Sequence, residues 1–137
     1  MKTSRKPLIF FILVLAIKDA FLGSFLLFDL NWLLAKAQMS YSEDVMIMST
    51  FFGICVLIVS TLCIVAIARI AGNKPAGIFI SKFIAWWMVI ASIIIYLKIG
   101  KPAWAAVDFI SGILILIPAY LYHRVEANIT KTTAKIK

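Results

Sequence analysis

The stretch VMIMSTFFGICVLIVSTLCIVAIARIA, Val45–Ala71, carries no charge until Arg69. It exceeds the ~20 residues that, at ~1.5 Å rise, cross a hydrocarbon core of about 30 Å. Three further runs share its character: Leu8–Leu34, Ala76–Leu97 and Ala103–Tyr122. No water serves the backbone in lipid, so each run must be a helix that satisfies its own amides. The expectation is an all-α integral membrane protein, a four-helix transmembrane bundle.

Composition agrees. Hydrophobic residues make up 64% of the 137 and mean hydropathy is +1.04, against the ~45–50% apolar usage of a soluble domain. The longest polar stretches are the first six residues, Ala35–Asp44 and the tail after Tyr122. None has the length or composition of a globular domain, so residues 1–137 read as a single four-span domain. Lys2, Arg5 and Lys6 precede the first run, as in a signal peptide. That run is nevertheless longer than the ~7–15 residues of a signal's apolar region, holds Lys18 and Asp19, and lacks a small-residue cleavage site. It reads as a retained span.

Basic residues in short loops mark the cytoplasmic side. With the N-terminus inside, Lys2, Arg5, Lys6, Arg69, Lys74, Lys82, Arg124, Lys131, Lys135 and Lys137 fall inside, against Lys36, Lys98 and Lys101 outside. That is ten against three, with Lys18 in the membrane, which accounts for all 14. Glu43 and Asp44 fall outside. Both termini are expected to be cytoplasmic, in a plasma (inner) membrane. The formal charge of +8 is then an anchor on anionic lipid, worth roughly 1 kcal/mol per basic residue, and calls for no nucleic-acid partner.

Helix punctuation fits the same spans. Ser40, with Glu43 three residues on, reads as a capping box before the second span, and Glu43 and Asp44 suit the positive end of its dipole. Gly72–Pro75 reads as a tight inner turn and Gly100-Lys101-Pro102 as a short outer one. Pro118 is expected to kink the fourth span unless neighbours satisfy the freed carbonyl. Trp32, Trp104, Tyr41, Tyr96, Tyr120 and Tyr122 lie near the interfaces, as aromatic anchors do. No internal repeat is apparent between the two halves.

Charges at bilayer depth cost a few kcal/mol and normally face protein or water. The candidates are Lys18 and Asp19 midway along the first span, Asp29 further out, and Asp108 in the fourth. Counted from Pro7, Lys18 lies about 16 Å deep; counted from Pro102, Asp108 lies about 21 Å from the inner side. A lysine stem spans that difference, so a Lys18–Asp108 pair between the first and fourth spans is geometrically open. Asp19 competes for the same lysine, although consecutive helical residues point about 100° apart. Asp29, eleven residues after Lys18, returns to nearly the same face. Such a network either fixes which helices adjoin or forms a relay or counter-charge for a solute. Lys82 and Arg69 read as snorkelling residues near the inner face.

Small residues four apart mark close helix approach: Ser49 and Gly53, Ser81 and Ala85, and Asp108 and Gly112. Phe51, Phe52, Trp86, Trp87 and Phe109 read as facing lipid or partner helices, with Trp86 and Trp87 the candidate partner contacts.

What is missing narrows the chemistry. The one histidine, His123, cannot build a bis-histidine haem or a three-histidine zinc site. Cys55 and Cys63 share the second span about 80° apart and cannot bridge each other. Met39, Met46 and Met48 cluster without cysteine or histidine beside them, so no copper site is expected. No phosphate-binding loop, nucleophile elbow, zinc-protease or dinucleotide motif occurs. The Asn128-Ile129-Thr130 sequon lies on the expected cytoplasmic side. The layout is similar to small multidrug transporters in span number alone. They carry a membrane glutamate in the first span, where this chain has Lys18-Asp19. The sequence therefore reads as a non-enzymatic, cofactor-free and metal-free accessory or structural subunit of a larger membrane complex, its partners the bilayer and other membrane subunits. The alternative is a small homo-oligomeric transporter or channel using Lys18, Asp19 and Asp108.

Overall fold

The computed structural model describes residues 5–37, 42–99 and 102–135, and side chains within 5–32, 34–35, 42–97 and 102–122. Met39, Ser40, Tyr41, Gly100 and Lys101 lie outside the described residues, as do the side chains of Lys36, Lys98, His123, Arg124 and the sequon. The described chain is helical, with no strand among its residues. The helices are α1 (Arg5–Phe28), α2 (Leu30–Ala37), α3 (Glu43–Ala71), α4 (Pro75–Ile94) and α5 (Pro102–Lys135), and a π-helical turn, Ile95–Ile99, continues α4. Four of them are long and apolar enough to cross a membrane, the layout of a multi-pass membrane protein.

The first apolar run is not one helix. It breaks at Asp29, whose Oδ1 accepts from the amide of Trp32 at 3.3 Å and opens the short helix α2. Aspartate is a preferred N-cap because its carboxylate takes an amide that has no partner in the first turn. Hydropathy, which scores Phe28 and Leu30 alike as apolar, does not register this stop. Trp32 then folds back to stack on Phe25, ring centroids 4.6 Å apart.

At the start of α3 the cap is Ser42, not Ser40. Its backbone is extended and its hydroxyl accepts from the amide of Val45 at 3.2 Å. Because the helix begins at Glu43, Ser42 is the last residue outside it, and Glu43 and Asp44 fill the first turn rather than closing a box.

The turn between α3 and α4 closes through two backbone bonds, Lys74 amide to Arg69 carbonyl at 2.9 Å and Asn73 amide to Ile70 carbonyl at 3.1 Å. This is the Schellman arrangement, which requires a left-handed residue just past the helix. That residue is Asn73, at φ 57°, while Gly72 keeps φ −79°. Pro75 then stands in the first turn of α4, where its missing amide costs nothing. α5 runs on through Pro118 to Lys135 as one helix.

The helices form a four-sided bundle. α1 packs most extensively against α3 and α4 against α5; α3 also meets α4, and a sparser seam joins α1 to α5. The core is a thin axial column: Leu8, Ile12, Leu15 and Ala16 from α1, Cys63, Ala66 and Ile70 from α3, Ile84, Ala85 and Met88 from α4, and Ile115 and Ala119 from α5. On α1 the buried positions step by three and four from Leu8 to Leu26, apart from the adjacent Leu15 and Ala16, and on α3 they do so from Gly53 to Ile70, the spacing of one helix face. Only 22–33% of the residues in each span's apolar window are buried inside the bundle. Most of the apolar surface therefore faces outward.

Candidate functional site

Between lipid-exposed helices there is little hydrophobic drive, so association rests on close packing and on interhelical hydrogen bonds. Both halves of the bundle use close packing, and the α1–α3 half adds an interhelical hydrogen bond. In the α1–α3 half, a methyl on Gly23 would sit 2.7–2.8 Å from Leu57 and 3.1 Å from the Gly53 carbonyl, and one on Gly53 would sit 3.0 Å from Leu26. The Ser60 hydroxyl, buried in the same seam, donates to the Ala16 carbonyl at 2.9 Å and fixes the register. In the α4–α5 half, Gly112 lets α5 rest on the backbone of α4, because a methyl there would lie 2.9 Å from the Ala85 carbonyl. Ala85 and Ser81 are fully buried, and Ser81 returns its proton to the Gly77 carbonyl one turn back at 2.7 Å. Ser49 is only half-buried, at the margin of its seam.

The charges bridge the two halves. Lys18 Nζ donates to Asp108 Oδ1 at 2.6 Å and lies 3.2 Å from Asp19 Oδ1. Asp19 belongs to the buried face of α1, in step with Ala16 and Gly23, while Lys18 is rotated toward α5, as adjacent helical residues must be. The side chains are 30%, 5% and 19% exposed for Lys18, Asp19 and Asp108. One ammonium thus serves two carboxylates: a concealed one on its own helix and a half-open one across the α1–α5 seam. Asp29, capping α2 on the exposed surface, is not among these three.

Five further hydroxyls in the spans bond to the backbone of their own helix. Ser24, Thr50, Thr61 and Ser111 donate to the carbonyl four residues earlier, and Ser92 to the one three earlier, all within 2.6–2.9 Å. Among the described residues no buried side-chain nitrogen or oxygen lacks a partner, and no three histidine, cysteine or acidic side chains gather as metal ligands would. Cys63 is buried and Cys55 partly so; both are free thiols.

At the end where α1 and α4 begin and α3 and the last span finish, the described cations Arg5, Lys6, Arg69, Lys74 and Lys82 gather without a described acid. Asp29, Glu43 and Asp44 occupy the opposite end. Tyr122 is buried beneath the Arg5 guanidinium, 5.4 Å from its ring centre, so it ties α1 to α5 instead of anchoring in the interface. Trp32, Tyr96, Trp104 and Tyr120 are exposed, as are Phe51, Phe52, Trp86, Trp87 and Phe109.

Sequence reasoning passed over Gly23, Ser60 and the part of Tyr122. One signal was present: Asp19–Gly23 and Asp108–Gly112 share an Asp-x-x-x-Gly spacing. Each pair places a carboxylate one turn from the glycine that lets its helix approach a neighbour. Comparison with protein-family models, curated proteins and solved structures finds no match.

Proposed function

We propose that this chain is a non-catalytic accessory subunit of a larger membrane complex, lying in a plasma (inner) membrane with both termini cytoplasmic. The observation that carries this reading is the sharing of Lys18 by Asp19 and Asp108 inside the chain's own fold. A charge cluster whose members all pair with one another, beside a packed apolar column, serves helix register better than solute passage. The buried hydroxyls of Ser60, Ser81 and Ser92 are each bonded to a carbonyl of the bundle, which fits a closed interior. The outer surface, in contrast, carries large aromatics, Trp86 and Trp87 on α4 among them, which suit contact with foreign helices.

The test is purification from native membranes in mild detergent, with a photoreactive residue at position 86 or 87. The expected result is a stoichiometric set of other membrane proteins, crosslinked through that position. Recovery of the chain alone, with solute movement in reconstituted vesicles abolished by Lys18→Met, would replace this reading by the transporter one. The observation that favours the transporter is the 30% of the Lys18 side chain left open at the α1–α5 seam.

A further inference from the structure

Lys82 stands seven residues into α4, about 10 Å from Pro75 along the axis, well inside the apolar span. The ion pairs among the described residues all belong to Lys18; Lys82 instead holds its ammonium 4.2 Å from the centre of the Tyr120 ring. Helical side chains tilt toward their own N-terminus. In α4 that direction is the basic end, and in the antiparallel α5 it is the opposite. The lysine therefore rises, the tyrosine descends, and the two meet on the outer flank of the α4–α5 pair. Tyr120 is 49% exposed there. Phe79, three residues before Lys82, shares its face, and Ile117 precedes Tyr120 by three; both are exposed and apolar.

We infer that this flank binds an anionic phospholipid. The Lys82 ammonium meets the headgroup phosphate, the Tyr120 hydroxyl donates to a phosphate or ester oxygen, and acyl chains lie along Phe79 and Ile117. A ring face attracts a cation but does not neutralise it, so the ammonium keeps donors for a charge-assisted bond to phosphate. The site opens sideways onto apolar side chains, which favours a lipid over free phosphate. Arg5, Lys6, Arg69 and Lys74 at the same end of the bundle favour an anionic headgroup over a zwitterionic one.

The test is native mass spectrometry of the full chain in detergent, titrated with phosphatidylglycerol, phosphatidylcholine or inorganic phosphate. Phosphatidylglycerol should bind more tightly than phosphatidylcholine, and phosphate should not compete with it. Lys82→Gln should weaken phosphatidylglycerol binding about fivefold, the equivalent of one basic residue near the surface. Lys82→Arg should retain binding, and Lys74→Gln, removing an exposed cation of the same end, should weaken it less than Lys82→Gln. Circular dichroism checks that the variants keep their helices, and the wild-type comparison of the two lipids stands without any variant. Equal affinity for the two lipids, unchanged binding in Lys82→Gln, or displacement of the lipid by phosphate would each overturn the inference.

Discussion

Lys18 and Asp108 are 90 residues apart in the chain and 2.6 Å apart in the fold. Their contact lies on the sparsest of the bundle's seams, α1 against α5. The two halves meet along two seams: α3 against α4, where Gly77 rests on the backbone of Ile70, and α1 against α5, where the ion pair and the Arg5–Tyr122 contact cross. Asp19 makes the arrangement asymmetric: removing Asp108 leaves Lys18 a partner, whereas removing Lys18 strands two carboxylates, one of them almost fully buried.

The single substitutions should therefore differ. Asp108→Asn should cost about 1 kcal/mol, the scale of one hydrogen-bonded partner lost with a substitute left in place. Lys18→Met should cost more, toward the ~3–5 kcal/mol of an orphaned buried charge. Adding Asp108→Asn to Lys18→Met should recover part of the loss, and adding Asp19→Asn as well should recover most of it. Unfolding in detergent, followed by helical circular dichroism, measures all four. Equal costs for the two single changes would mean that Asp19 is not sharing the lysine.

A second expectation concerns close approach. Gly112→Ala should destabilise by about 1–3 kcal/mol, the usual cost of overpacking, because the added methyl would meet the Ala85 carbonyl at 2.9 Å and backbone cannot step aside. Gly72→Ala should be nearly neutral: its φ is −79°, and the nearest atom to its methyl is the Ala68 carbonyl of its own helix at 3.4 Å. The same unfolding assay separates the two.

Span number, and the depth match that makes a Lys18–Asp108 pair open, are legible in the sequence because both follow from length, hydropathy and rise per residue. The end of α1 is not. Asp29 reads as a fourth membrane charge by position, and only its capping bond to Trp32 reveals a helix stop. Ser40 and Ser42 both precede Glu43 closely enough to cap, and the choice depends on where the first helical turn closes, a matter of two residues. Aromatic side chains pose the same difficulty. Tyr120 and Tyr122 are two residues apart at the end of the last span, yet one is exposed and the other buried, because two residues on a helix turn the side chain by about 200°.

The α3–α4 turn supplies a third prediction. Asn73 holds φ 57°, a region that costs L-residues roughly 1–2 kcal/mol and glycine little. Asn73→Gly should hold or raise stability, and Asn73→Ala should lower it by about 1 kcal/mol. Identical behaviour of the two variants in thermal unfolding would remove the turn from the determinants of stability.

The orientation of the bundle can be tested at the same turn and at the opposite end. Ser42 caps α3 beside Glu43 and Asp44, and Asn73 lies between Arg69 and Lys74, so the two positions sit in loops of opposite charge at opposite ends of one helix. Basic loops are retained on the cytoplasmic side. A cysteine at position 42 should therefore react with an impermeant thiol reagent applied to intact cells, and one at position 73 only after the membrane is opened. Cys55 and Cys63 provide the background; both lie within α3, and a chain with neither replaced should label weakly. The reverse pattern would place the basic end outside and undo the reading of both termini as cytoplasmic. Labelling of both positions in intact cells would show that the chain inserts in two orientations, which the ten-to-three distribution of basic residues argues against.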